Sequence, residues 1–412
     1  MNLINKENKL PLLPRIIIVA YIIFSFFYPM LSSLSRVGFV LVFLMTTIYL
    51  VVKNTSWESK YSYLILFSLS NLLLYFFGLY NSALLNNDLT FMFLDSAGFP
   101  FYLVLLPVAL FTIKDTHCLN YFKDTLVNIC IAFSVISILI VVFFYYIFGQ
   151  LDLATITAGN TFLSGFLNLK LGATAGILRV NTNSIQVLFL GLYIVLAKNN
   201  RSFKDSMIVL LFFIAFLADG HRAGLVVFLM MYFSYLILYK RFTNIFIVTI
   251  FSLPIIIYNS ASIYKRVDFG SESSSARVEQ IGPLIDKISE SPIIGSGFGS
   301  SASLLRSETR PFMYEMDTLA ISMKLGLPFA IIYTLLWFIV LVGNTRFKYN
   351  SRTFLFSFVT LVGCLFYMST NGGFYMSPLT TILQFLMFLS FVNVPQNAPK
   401  KLNLCSFPIH SV

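Results

Sequence analysis

Continuous runs of apolar residues constrain the fold of this chain more than any other feature. Several runs approach the ~20 residues that a helix needs to cross the hydrocarbon core of a bilayer. Hydrophobic residues make up 58% of the chain and charged residues only 11%, whereas soluble domains carry roughly 25% charged residues. The runs are continuous rather than alternating, which favours helices over the strands of an outer-membrane barrel. The sequence therefore predicts an all-α polytopic integral membrane protein.

The apolar runs predict about twelve transmembrane helices within a single multispanning domain, residues 1–412. The seventh span is the shortest, and we expect it to cross only part of the membrane. The predicted spans are 14–32, 36–53, 61–80, 98–114, 126–148, 182–197, 206–219, 222–239, 243–259, 317–343, 353–370 and 376–392.

The distribution of basic residues predicts the orientation. Most of the 28 Lys and Arg residues fall on the side of the two termini, and the shorter loops on the other side hold only Arg36, Lys170, Arg179 and Arg222. Short loops rich in Lys and Arg face the cytoplasm, so both termini are predicted to be cytoplasmic. One large outer loop, 260–316, and one medium outer loop, 149–181, follow from this arrangement. The net charge of +11 therefore reflects topology and does not predict nucleic-acid binding.

Two polar clusters adjoin predicted outer helix ends. In DGHRAG, the turn between spans seven and eight, Arg222 at a helix start favours a site for an anion. Before span six, Arg179 stands beside Asn181 and Asn183. The alternatives are an ordinary interfacial turn whose charges reach water and a capped helix beside an isolated Arg.

A third cluster, Glu315 and Asp317, flanks the start of span ten. Acidic groups there complement the positive end of a helix dipole. The alternative is that one of the two carboxylates acts as a general base at the membrane face.

The large outer loop contains two further patterns. Val278, Ile281, Ile285 and Ile288 fall on roughly one helical face, and Pro283 is expected to divide that segment into two short amphipathic helices. GSGFGS, with Gly295 and Gly297 as loop-shaping residues, predicts a tight turn. It is not a dinucleotide fingerprint, because no strand precedes it and the glycine spacing differs.

These clusters share the predicted outer side, where arginines suit bidentate binding of phosphate. Free nucleotides are scarce outside the cell, so the sequence points to a lipid-linked phosphate or pyrophosphate as the ligand. No metal ion or cofactor is required by this interpretation. The outer cations are Arg179, Arg222, Arg277, Arg306 and Arg310.

Over roughly residues 175–335, the chain resembles the O-antigen polymerase and O-antigen ligase superfamily of bacterial envelope glycosyltransferases. The similarity rests on the order of four motifs. They are Arg179-Val-Asn-Thr-Asn183, His221-Arg222-Ala223-Gly224, Arg277 followed by Ile294-Gly295-Ser296-Gly297, and Glu315 to Gly326 with its Lys-Leu-Gly ending. Ligases usually carry a His where this chain has Glu315-Met316-Asp317, which favours polymerase over ligase.

The resemblance implies a glycosyltransferase of the bacterial inner membrane that joins undecaprenyl-pyrophosphate-linked repeat units at the outer face. Glu315 or Asp317 would accept the proton of the attacking hydroxyl, and His221 is a third catalytic candidate. Membrane lipids and a chain-length regulator protein are the other expected partners. The residues implied in pyrophosphate binding are Arg179, Arg222, Arg277 and Arg310.

Two alternatives stay open from the sequence. An O-antigen ligase would use the same donor but transfer the polymer to lipid A core. A lipid-linked oligosaccharide flippase would also have twelve spans, but it predicts charges within the spans and small loops. The polar residues of this chain instead collect in one long outer segment, which favours an enzyme.

Overall fold

A computed structural model describes most of the predicted membrane domain. The described residues are 10–27, 32–53, 62–148, 170–174, 177–181, 185–198, 202–219, 222–240, 272–305, 310–314, 316–345, 351–369 and 377–392. Within these ranges the chain forms fourteen helices and one two-stranded hairpin. The fold is therefore helical, as predicted, with a small β element that the sequence did not indicate.

The first half of the chain contains six helices. They are α1 (Leu12–Phe27), α2 (Ser32–Val52), α3 (Ser62–Leu84), α4 (Leu89–Asp95), α5 (Phe101–Lys114) and α6 (Thr116–Phe148). The hairpin follows, with β1 (Lys170–Thr174) antiparallel to β2 (Ile177–Asn181) and Lys170 opposite Asn181. This hairpin belongs to the segment that we predicted to be the medium outer loop.

The second half contains the remaining helices of the described ranges. They are α7 (Ile185–Ala197), α8 (Phe203–Asp219), α9 (Arg222–Tyr239), α10 (Glu272–Glu290), α11 (Asp317–Leu325), α12 (Leu327–Thr345), α13 (Ser351–Ser369) and α14 (Pro378–Phe391).

Helices of the described residues overlap eleven of the predicted spans, and the remaining span, 243–259, lies outside those residues. Helices α4 and α10 match no predicted span, and α6 begins ten residues before its span. Among the described residues, three helical segments are long and apolar enough to cross a membrane by length and composition, namely Ser62–Leu84, Thr116–Phe143 and Ser351–Ser369. Seven further helical segments that match predicted spans are apolar but shorter, and α8 is not among them. The total of twelve spans therefore stays a prediction.

The predicted tenth span, 317–343, is not one continuous helix. It is broken at Gly326, which has a φ of +80° and separates α11 from α12. A Cβ at Gly326 would come within 2.1 Å of the carbonyl oxygen of Ile293. Because glycine has no Cβ, the backbone of Ile293 can approach Gly326 closely, and the helix ends there.

Two buried helices form the centre of the bundle. All fourteen residues of α14 are buried, as are twelve of the thirteen in α7. These two helices pack on each other; α14 also packs on α5 and α12, and α7 on α6 and α8. Burial on every side is typical of a helix surrounded by other helices. The few polar side chains, Gln186 in α7 and Thr380, Thr381, Gln384 and Ser390 in α14, are buried as well.

Two peripheral helices, α3 and α12, carry exposed apolar rows. On α3, residues spaced three or four apart are exposed, whereas polar Asn71, Asn81 and Ser82 are buried. This polarity is inverted relative to a soluble amphipathic helix and is typical of a helix that faces acyl chains. The exposed rows are Leu66, Leu69, Leu73, Phe76, Tyr80 and Leu84 on α3, and Leu327, Ile331, Ile332 and Leu335 on α12.

The amphipathic prediction for 278–288 was wrong in two respects. Pro283 does not divide the segment, because α10 continues through it. The buried face consists of Gln280, Leu284 and Ile288, while Val278 and Ile285 are exposed. Packing of that face against α11 outweighs the helix-breaking tendency of the proline.

Candidate functional site

A cavity of about 180 Å³ lies at one end of the bundle. Its walls come from the start of α2, the α4–α5 connection, the 310–324 region and the start of α14. All four parts are predicted to lie on the same side of the membrane. The lining residues are Arg36, Leu94, Asp95, Ala97, Arg310, Phe312, Met313, Tyr314, Asp317, Ala320, Ile321, Lys324, Ser377 and Pro378. This is the place where polar groups from distant segments converge.

A buried ion pair forms one wall of the cavity. The Nζ of Lys324, near the end of α11, lies 2.5 Å from Oδ1 of Asp95, the last residue of α4. Their side chains are only 6% and 5% exposed. A buried pair of this kind is stable only if the remaining polar atoms are also satisfied.

Both members of the pair make additional hydrogen bonds. The backbone N–H of Gly299 donates to Oδ2 of Asp95 at 2.9 Å. Lys324 donates to the carbonyl oxygen of Phe312 at 2.9 Å, and its Nζ lies 5.7 Å from the centroid of that ring, within cation–π range. Burial raises the pKa of Asp95, while Lys324 and the Gly299 amide favour the carboxylate.

The GSGFGS turn is held against α3 by two asparagine side chains. The Nδ2 of Asn81 donates to the carbonyl oxygens of Ile294 and Gly295 at 2.7 and 2.9 Å. The Nδ2 of Asn87 donates to those of Ser296 and Phe298, both at 2.9 Å. Three carbonyl groups of the turn and that of Ile294 before it are thereby satisfied by side chains from the end of α3 and the segment after it.

The glycines of the turn are required by backbone conformation and by close approach. Gly295, Gly297 and Gly299 have φ angles of +72°, +77° and +75°, a region that other residues rarely adopt. On the other side of the turn, the N–H groups of Ser296 and Gly297 donate to the carbonyls of Met323 and Lys324 at 2.7 and 2.9 Å. The turn therefore connects α3 and α4 to the end of α11.

Tyr314 contributes a hydroxyl to the cavity wall. Its Oη accepts a hydrogen bond from the N–H of Ala302 at 2.5 Å. Burial raises the pKa of Tyr314 and the neighbouring charge of Asp95 acts in the same direction. A phenol that accepts this bond can also donate its own O–H.

The charges around the cavity favour an anionic ligand. Arg36 and Arg310 are exposed at the cavity, and Lys324 contributes a third, buried cation. Asp95 neutralises Lys324, and Asp317 is buried in the first turn of α11. The N-terminus of α14 also meets the cavity, where Ser377 caps the helix and Pro378 occupies its first turn. Positive helix ends add to the arginine charges.

The structure brings together only some of the residues that the sequence predicted for the site. Asp317 and Arg310 line the cavity, and Gly295 and Gly297 form the turn behind it. Arg179 lies in β2, Arg222 begins α9 and Arg277 lies in α10; their side chains are outside the described part of the structure. Glu315 and His221 lie outside the described residues altogether.

Sequence reasoning did not identify Asp95 and Lys324 as members of the site. Lys324 lies inside the predicted span 317–343, and an ionisable residue at membrane depth calls for a partner. Asp95 ends the apolar stretch FMFLD. Pairing the isolated acid with the isolated base would have suggested the contact, although 229 positions separate them.

Within the described ranges, no group of three or more His, Cys, Asp and Glu side chains lies where it could hold a metal ion. No protein-family model, no curated protein and no solved structure matches the chain.

Proposed function

We propose that the protein is a polysaccharide polymerase that joins undecaprenyl-pyrophosphate-linked repeat units at the outer face of the bacterial inner membrane. The observation that carries the proposal is the cavity, where Arg36, Arg310 and Lys324 converge with Asp317 at one end of an apolar helical bundle. Cations placed beside a membrane-facing surface suit an anionic headgroup whose tail stays in lipid.

The proposed reaction breaks one bond and forms one bond. The hydroxyl oxygen of the acceptor sugar attacks C1 of the donor sugar, and the bond from C1 to the pyrophosphate oxygen breaks. Undecaprenyl pyrophosphate leaves with the electron pair of that bond. The hydroxyl proton passes to a carboxylate of the enzyme.

We assign the role of base to Asp317, which lines the cavity in the first turn of α11. Both oxygens of Asp95 are already engaged, one with Lys324 and one with Gly299. Asp95 therefore serves as a positioning residue. Glu315, two positions before Asp317, stays the other candidate for the base.

The arginines would stabilise the pyrophosphate as negative charge develops on it. Cations held in place before the reaction act strongly at a site with a low dielectric, and loss of one such contact costs roughly 10²–10³ in rate. Arg310 belongs to the short segment 310–314, which Lys324 holds through the carbonyl of Phe312. The buried ion pair would thus fix the position of the exposed arginine.

The experiment compares Arg310→Ala with Lys287→Ala, which removes a half-buried cation of α10 that pairs with Glu290 and does not line the cavity. Each variant is expressed in a polymerase-deficient bacterium supplied with the lipid-linked repeat unit. We expect Arg310→Ala to leave single repeat units and Lys287→Ala to give normal chain-length ladders. Full-length polymer from Arg310→Ala at a normal protein level would remove Arg310 from the mechanism.

Product analysis also separates the polymerase from the ligase. Loss of a polymerase leaves single units attached to lipid A core, whereas loss of a ligase leaves long chains on the lipid carrier. Accumulation of long, unattached chains in a strain that lacks the protein would reject the proposal in favour of a ligase.

A further inference from the structure

Two isoleucines of the turn before GSGFGS are exposed at the cavity end of the bundle. Ile293 and Ile294 are 66% and 48% exposed. Polar residues are common in tight turns because they can remain in water. Two exposed isoleucines at this turn therefore suggest that it does not face water. The apolar rows of α3 and α12 that lie next to the turn indicate what it faces.

Backbone contacts place this turn at the top of the α12 row. The N–H of Leu327 donates to the carbonyl of Pro292 at 2.8 Å. Gly326 lies so close that an added Cβ would meet the carbonyl oxygen of Ile293 at 2.1 Å. Leu327 begins the exposed row that continues through Ile331 to Leu335.

The same turn also adjoins the end of the α3 row. The side chain of Asn81, on the buried face of α3, donates to the carbonyl oxygen of Ile294 at 2.7 Å. Helices α3 and α12 pack on each other, and the rings of Phe77 and Phe329 are 4.0 Å apart between centroids. The turn therefore lies over the junction of the two helices that carry the exposed rows.

Helix α4 carries two further exposed apolar side chains near the cavity. The α3 row ends at Leu84, and the following Leu89 and Phe93 are 65% and 56% exposed. Phe93 is two residues before Asp95, so this surface lies beside the cavity wall.

We propose that Leu89, Phe93, Ile293 and Ile294 form a collar that inserts into the bilayer. The occupant that we assign to this surface is the acyl-chain boundary of the leaflet at the cavity end of the bundle. Continuity decides the occupant, because Ile293 and Ile294 belong to the turn that meets the exposed apolar row of α12 at Leu327. Apolar side chains of this kind are typical of elements held in the membrane interface.

The collar sets the depth of the cavity. Phe93 and Leu94 adjoin each other in the chain, and Leu94 lines the cavity while Phe93 belongs to the collar. A collar at the acyl-chain boundary therefore puts Asp95, Lys324 and Arg310 at headgroup depth. This inference concerns membrane position and stands whether or not the proposed polymerase activity is correct.

The test uses nitroxide labels on single cysteines in the full chain, reconstituted in vesicles of phosphatidylcholine and phosphatidylglycerol. Cys405 is replaced by Ser, and the other three cysteines, Cys118, Cys130 and Cys364, are buried. Labels are placed at Ile293 and, as an independent second site, at Phe93. Ile331→Cys on the α12 row is the membrane reference, and Glu279→Cys, exposed on α10, is the water reference.

Power saturation with oxygen and with a water-soluble nickel complex reports the depth of each label. We expect the labels at Ile293 and Phe93 to be accessible to oxygen and at least threefold less accessible to nickel than the label at Glu279. Nickel accessibility equal to that of Glu279 would overturn the proposal. Low accessibility to both reagents would also overturn it, because the surface would then be covered by protein.

Discussion

The carboxylate of Asp95 lies 2.5 Å from the ammonium group of Lys324, across 229 positions of the chain. The pair joins the end of α4 to the last turn of α11 and lies against the cavity. Because Lys324 also holds the carbonyl of Phe312, one ammonium group organises two segments of the cavity wall.

The first prediction concerns this pair. Lys324→Ala leaves the Asp95 carboxylate buried without its cation, and such a change destabilises a protein by about 3–5 kcal/mol. We therefore expect a large loss of thermal stability in detergent, measured by the unfolding midpoint. The double variant Asp95→Leu/Lys324→Met should recover much of that loss, because apolar residues can replace a buried pair.

Lys287→Ala is the matched control for that prediction. Lys287 and Glu290 form a pair with the same 2.5 Å separation, but their side chains are 31% and 62% exposed. Its loss should cost less than about 1 kcal/mol. If Lys287→Ala and Lys324→Ala lowered the unfolding midpoint equally, burial would not explain the effect of Lys324→Ala.

The second prediction concerns the glycine turn. Gly297→Ala places a Cβ 2.7 Å from the Cα of Ser82 at a φ of +77°, so both strain and collision oppose folding. We expect a destabilisation of at least about 1–3 kcal/mol, the usual cost of one strained residue. The unfolding midpoint in detergent is again the measurement.

Gly282→Ala, in α10, is expected to raise stability rather than lower it. Gly282 lies within α10, and a Cβ there would meet nothing within 4 Å. Alanine should stabilise the helix by roughly 0.5–1 kcal/mol. If both alanine variants lowered stability equally, the turn geometry would not explain the effect at Gly297.

The third prediction concerns the asparagine that holds the turn. Asn81→Asp replaces a donor to two carbonyl oxygens with a carboxylate that can only accept, and the position is 3% exposed. Unsatisfied buried polar groups cost about 1–3 kcal/mol each. We expect Asn81→Asp to be more destabilising than Asn81→Ala, as judged by protein yield and unfolding midpoint. The reverse order would show that repulsion from the carbonyls is not the dominant effect.

Much of the helical layout was accessible from the sequence, because apolar runs and helix-end residues are local signals. The pairs α8–α9 and α13–α14, for example, begin and end within a few residues of the predicted spans. The break at Gly326 was not predicted, because its cause is the backbone of Ile293, a contact between distant segments.

The site was predictable only in part, for the same physical reason. Arg310 was predicted as one of several outer-side arginines, and Asp317 as an acid at a helix start; both line the cavity. Asp95 was not predicted, because its role depends on its contact with Lys324, and no local sequence pattern predicts a contact between such distant residues. Likewise, Gly295 and Gly297 indicated a turn, but Asn81 and Asn87 reveal their role only through the hydrogen bonds of the folded chain.

The last prediction tests the base in the proposed reaction. Asp317→Asn preserves the size of the side chain but removes the proton acceptor, and general-base catalysis contributes roughly 10²–10⁴-fold to rate. In a reconstituted assay we expect kcat to fall by about that factor while the KM for the lipid-linked donor changes less, because Arg36, Arg310 and Lys324 are all retained in the variant. Asp88→Asn is the matched control, since Asp88 is an exposed N-cap carboxylate of α4 that accepts from Phe91 N–H at 3.0 Å. Retention of kcat in Asp317→Asn at a normal protein level would assign Asp317 to helix-end stabilisation and leave Glu315 as the candidate base.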